Sequence, residues 1–182
     1  MLSINDIISN IKKGQSAIAT REILSKLEQT YSSIKATIQI VGYKTEASKN
    51  TIFLNIPSAT TRSVLYDVVI ELHTPSKIDL NTKFKVYCNT PAFGYNFAYV
   101  FYSYGSLLYP EKYPQEMKQI PPVTRNPFFT VGFDKHMYSS IRLISEIGLT
   151  SIRQQYPNAV PPVKSFDDKM QEIKNTRENP NH

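Results

Sequence analysis

The sequence predicts an α+β fold. N-terminal helices precede a mostly antiparallel, twisted β-sheet of about five to six strands, a later helix packs on that sheet, and proline-rich arms extend from it. Three observations carry this. The apolar period falls from helical to two residues near residue 37. Strict alternation then recurs, most clearly over Val64–His73. Prolines cluster after Tyr109 and again before Val163. The 182 residues divide into a core at 1–149, with a proline-rich loop at 109–128, and a C-terminal arm with a short helix at 150–182.

Leu2, Ile4, Ile7, Ile8 and Ile11 follow helical spacing, with Ser3 as cap, so Ser3–Lys13 reads as a short amphipathic helix rather than a secretory signal. It packs on its own domain or docks on a partner or membrane surface. Ile23, Leu24, Leu27, Tyr31 and Ile34 stripe a second helix over Thr20–Lys35. Thr37–Val41, Thr51–Ile56 and Lys83–Asn89 read as strands, joined by polar connections at 42–50, 58–63 and 75–81. In Val64–His73, one face carries Val64, Tyr66, Val68, Ile70 and Leu72. The other carries Leu65, Asp67, Val69, Glu71 and His73 and is half wet.

Phe93, Tyr95, Phe97, Tyr99 and Phe101 alternate with smaller residues. This predicts a strand with an aromatic row, followed by a turn at Tyr104–Ser106 and a short return strand to Tyr109; a helix over Ala92–Tyr104 is the competing reading. Pro110, Pro114, Pro121, Pro122 and Pro127 argue against regular structure in the next segment. Asp134 caps a helix that Gly148 stops, Ser165 and Asp168 start another over Ser165–Asn175, and Thr176–His182 frays.

Composition narrows the function. No apolar run approaches the roughly 20 residues of a membrane span. The single cysteine, Cys88, sits in an apolar strand without the basic neighbours that activate a thiol. Nucleotide-binding glycine loops, zinc motifs and the nucleophile elbow are absent. Asp67, Glu71 and His73 share a strand face and could hold a divalent cation in a nuclease, or simply form its wet side. Lys83, Lys85, Tyr87 and the aromatic row could stack on nucleic-acid bases, but the lysines and arginines behind the +6 charge are spread along the chain. A row of this length instead packs as core or as a subunit interface. The arms at Tyr109–Pro127 and Val160–Asn181 wrap either a neighbour or their own core.

Lys, Asn, Ile, Ser and Tyr are abundant and tryptophan is missing, as in proteins of AT-rich phage genomes. With the stretch from Tyr87-Cys88-Asn89-Thr90-Pro91 through Tyr104-Gly105, then Thr124-Arg125-Asn126-Pro127 and Gly132-Phe133-Asp134-Lys135, the chain resembles small virion structural proteins of tailed bacteriophages, of the neck, head-completion or tail-terminator type. The resemblance implies a non-enzymatic ring or lattice component located in the virion and assembled in the host cytoplasm. It implies no cofactor and no membrane, with copies of itself, neighbouring virion proteins and packaged DNA as partners. The expected interface residues are Phe93, Tyr95, Phe97, Tyr99, Phe101, Tyr109, Tyr113, Pro121 and Pro122. A nucleic-acid-binding accessory protein with a basic, aromatic sheet face is the alternative.

Overall fold

Alternating apolar residues build an antiparallel sheet in the computed structural model, which describes residues 1–13, 17–58, 63–74, 77–122, 126 and 131–178. The strands are β1 (Leu2–Ser3), β2 (Gln39–Glu46), β3 (Lys49–Pro57), β4 (Leu65–His73) and β5 (Lys83–Cys88), in the order β1-β5-β4-β3-β2. Register places Ile52 beside Ile70 and Ile70 beside Val86, so one face is a continuous aliphatic layer. Expectations at Pro75, Thr124, Arg125 and Pro127, in the connection at 59–62 and in the tail at 179–182 lie outside the described residues.

Helices cover the aliphatic face. Helix α1 (Ile4–Lys13) buries Ile7 and Ile11 against its own domain. It begins with a reciprocal cap: the Ser3 amide donates to Asp6 Oδ2 at 2.7 Å and the Asp6 amide donates to Ser3 Oγ at 3.2 Å. Helix α2 (Ala17–Ile34) lies along α6 (Lys135–Ile147), which packs on β4 and β5. Asp134 caps α6, as its position in the sequence predicts, by accepting from the His136 and Met137 amides. Helix α7 (Leu149–Gln155), which starts at the expected end of the core at 149, buries Leu149 and Ile152 in the core.

Four expectations change. Residues 93–101 form no strand: they fold as α3 (Pro91–Asn96) and α4 (Ala98–Ser103), started by the Thr90 hydroxyl, which accepts from the Phe93 amide. The short return strand reduces to one parallel bridge from Leu107 to Val86. The proline-rich loop contains a 3-10 turn at Pro110–Lys112 and helix α5 (Gln115–Gln119), because Pro110 and Pro114 stand at the starts of these turns, where a missing N–H is harmless. Strand β2 also runs past Gly42 to Glu46, and the hairpin turns at Ala47, whose φ is 46°.

The open edge of β5 is closed from within. Ser106 O accepts from the Val86 amide at 2.9 Å and the Leu108 amide donates to Val86 O at 2.8 Å. The Tyr113 hydroxyl then accepts from the Cys88 amide at 3.0 Å and donates to Cys88 O at 2.8 Å.

Candidate interaction surface

Helices α3 and α4 sort the aromatic residues by spacing. Phe93, Phe97 and Phe101 recur every fourth residue and turn inward; Phe93 and Phe101 are fully buried and Phe97 is half-buried. Tyr95, Tyr99 and Tyr102 stand on the other side, with Tyr95 40% and Tyr102 47% exposed. The expected row therefore divides into a core stripe of phenylalanine and a surface stripe of tyrosine. Tyr113 is buried beneath Phe93 and Tyr87, and Tyr109 is half-buried against Tyr87.

Tyr95 and Tyr99 face Met117, Ile120, Pro121 and Pro122 across a groove of about 310 Å³ that Pro114 and Glu116 complete. Its walls are apolar, and Ile120 is 62% exposed. Of the expected interface residues, Tyr95, Tyr99, Pro121 and Pro122 meet here; Phe93, Phe101 and Tyr113 lie in the chain's own interior. The row at 93–101 is not on the sheet and Tyr87, which is, lies fully buried, so these rings form no stacking platform with Lys83 and Lys85, and Lys83 Nζ is bound to Asp6 at 3.0 Å.

The other candidates hold structural bonds. Asp67 Oδ2 accepts from Asn89 Nδ2 and from the Lys164 amide, each at 3.0 Å. Glu71 accepts from His73 Nε2 at 2.8 Å and lies opposite Lys85 in the ladder. Among the described residues no group of three or more His, Cys, Asp or Glu side chains could hold a metal ion. Cys88 is buried with its Sγ 3.3 Å from Thr90 Oγ1, and burial, aided by the Asp134 charge, pushes the thiol well above its ordinary range. Burial works to raise the Asp134 carboxyl too, but the His136 ring at 3.3 Å and the two capping amides outweigh it and hold it below its ordinary value.

The C-terminal arm, which the sequence leaves free to wrap a neighbour or its own core, lies over the second face of its own sheet. After α7, residues 156–165 run as an extended strap and end in α8 (Phe166–Glu178). The Tyr43 amide donates to Pro157 O at 3.1 Å, Lys112 Nζ donates to Val163 O at 2.7 Å, and the Tyr87 hydroxyl donates to Lys164 O at 2.5 Å. Phe166 then fills a hole floored by Gly94, where a Cβ would overlap its ring; Tyr113 stacks on it at 5.9 Å and Tyr95 meets it edge-on at 5.5 Å. In α8, buried Lys169 donates to Leu65 O at 2.6 Å and pairs with Glu172 at 2.7 Å. The signal available in sequence was local: Ser165 and Asp168 announce the helix, and their cap forms.

No helix among the described residues is long and apolar enough to cross a membrane. Comparison with known proteins finds no matching family model, no matching curated protein and no matching solved structure.

Proposed function

We propose that this chain is a non-enzymatic structural subunit of a phage particle, a head–tail connector or neck and tail-completion ring component that assembles with copies of itself and with neighbouring virion proteins. The observation that carries the reading is the groove between the Tyr95–Tyr99 stripe and Ile120–Pro122. Tyrosine offers large amphipathic contact area with few rotors to freeze, and proline is already ordered before binding, so such a surface gains association energy at low entropic cost. Charged residues are nearly absent from its lining, as at the centre of subunit interfaces. Asp67, Glu71, Cys88 and Asp134, the side chains with most chemical potential, are engaged in holding the fold. The sequence resemblance to small virion proteins supplies the class of assembly, and the +6 charge suits contact with packaged DNA.

Sedimentation velocity of the purified chain over a concentration series tests it. The wild-type chain is expected to form discrete oligomers, and Tyr99→Ala with Ile120→Asp to shift them toward monomer without changing the circular dichroism. Mass spectrometry of purified particles should find the protein at a fixed copy number. A persistent monomer that is missing from particles overturns the reading.

A further inference from the structure

We propose that residues 157–178 are an exchangeable arm, and that the groove holding them accepts the same segment from a second copy of this chain. The inference goes beyond the assembly role above and needs no virion; Phe166 seats at Gly94 and Tyr95, which also line the tyrosine groove. It begins with how the strap is held. The core binds it as a receptor binds an extended peptide: an edge-strand amide, Tyr43, takes one carbonyl; two side chains, Lys112 and Tyr87, take two more; a carboxylate, Asp67, takes the Lys164 amide. One aromatic anchor, Phe166, enters a hole cut for it at Gly94. Gly42 performs the same service at the other end, where a Cβ would overlap Ala159 O.

The groove's ligand is therefore already identified as this chain's own segment. Every one of these contacts can be made equally by the arm of another molecule, so exchange changes only the linker and association terms. The hinge permits it. Tyr156, between α7 and Pro157, is extended, with φ −118° and ψ 155°, and proline after it disfavours continuation of the helix. Pro157, Pro161 and Pro162 keep the strap open and lower the entropy lost when it seats on either molecule.

A fluorescent synthetic peptide of residues 157–178, titrated into full-length chain carrying Phe166→Ala, tests the groove in trans. The variant's own arm has lost its anchor, so the peptide is expected to bind saturably. Adding Gly94→Ala should weaken that binding about thirtyfold, the loss of one aromatic anchor. No saturable binding to a Phe166→Ala chain that keeps its circular dichroism overturns the proposal. Should that variant fail to fold, otherwise native full-length chains decide: one population labelled at Gln171→Cys and another at Lys85→Cys are mixed and concentrated. Energy transfer between copies, abolished by excess unlabelled peptide, is expected. Absence of transfer, or transfer that the peptide leaves unchanged, overturns it.

Discussion

Tyr113 shows how much one side chain can organise. Its ring lies under Phe93 and Phe166, and its hydroxyl replaces a missing neighbour strand for both polar groups of Cys88. Tyr113→Phe keeps the ring and leaves a buried amide and carbonyl unpaired. Denaturant unfolding is expected to show a loss of about 2 kcal/mol, several times that of an exposed tyrosine such as Tyr102. Asp6 gives a pH-dependent counterpart. The Ser3 hydroxyl and amide, with Lys83 beside them, lower its carboxyl from 3.8 to about 2. A folded-state value below the unfolded one adds stability that is complete above the unfolded value and disappears as pH falls through the folded one. The stability difference between wild type and Asp6→Asn should therefore be largest above pH 4 and vanish toward pH 2. Because the side chain is 42% exposed, solvent screens the interaction and that difference is expected to be about 1 kcal/mol.

At the scale of elements, α2 and α6 are joined by reciprocal phenol–carboxylate bonds. Tyr31 of α2 donates to Glu146 of α6 at 2.5 Å, Tyr138 of α6 donates to Glu28 of α2, and Arg142 Nε donates to Glu28 at 2.8 Å between them. Burial, then the bond to Glu146, raises the Tyr31 phenol from 10.0 to about 12. Here the sign reverses: the contribution is present below pH 10 and is lost as pH rises through 12. Burial also raises the Tyr87, Tyr109, Tyr113 and Tyr138 phenols, so ultraviolet titration should show a late-ionising group of tyrosines that Tyr31→Phe reduces by one, with unfolding setting in at lower alkaline pH in Glu146→Gln. The partners in this clamp are more than a hundred residues apart, and no local pattern announces them. What was legible in the sequence was local. Asp134, Ser3 and Ser165 sit at caps because each needs only the next three residues, and β4 declares its faces by alternation. The stretch 93–101 was ambiguous because aromatic residues two apart satisfy a strand while the phenylalanines among them, four apart, satisfy a helix. The Thr90-Pro91 start decides for the helix. Part of the candidate groove, Tyr95, Tyr99, Pro121 and Pro122, was visible as residue types; which rings face water depended on that period.

For the molecule as a whole, the two sheet faces are covered by different kinds of structure. Helices α6 and α2 cover the aliphatic face with continuous side-chain packing, whereas the strap crosses the other by separated hydrogen bonds, the half-buried Tyr156 and Val163, and one fully inserted ring. Packing of the first kind fails only with global unfolding; a row of discrete contacts can open as a unit below it. Native-state hydrogen exchange should then resolve two levels of protection. The Tyr43, Lys164 and Lys169 amides, whose acceptors are Pro157 O, Asp67 and Ser165 O, are expected to exchange together through a partial opening. The ladder amides between β3, β4 and β5 should exchange only through complete unfolding. Phe166→Ala removes the inserted ring and should lower the first level by about 3 kcal/mol, the cost of deleting a buried phenylalanine. Because that opening becomes easier while the sheet itself is untouched, the strap amides should accelerate by about a hundredfold, ahead of any change in the ladder measured above the global limit. Uniform exchange of both sets at one free energy would mean that strap and sheet form a single cooperative unit, and that the arm cannot leave its groove while the core stays folded.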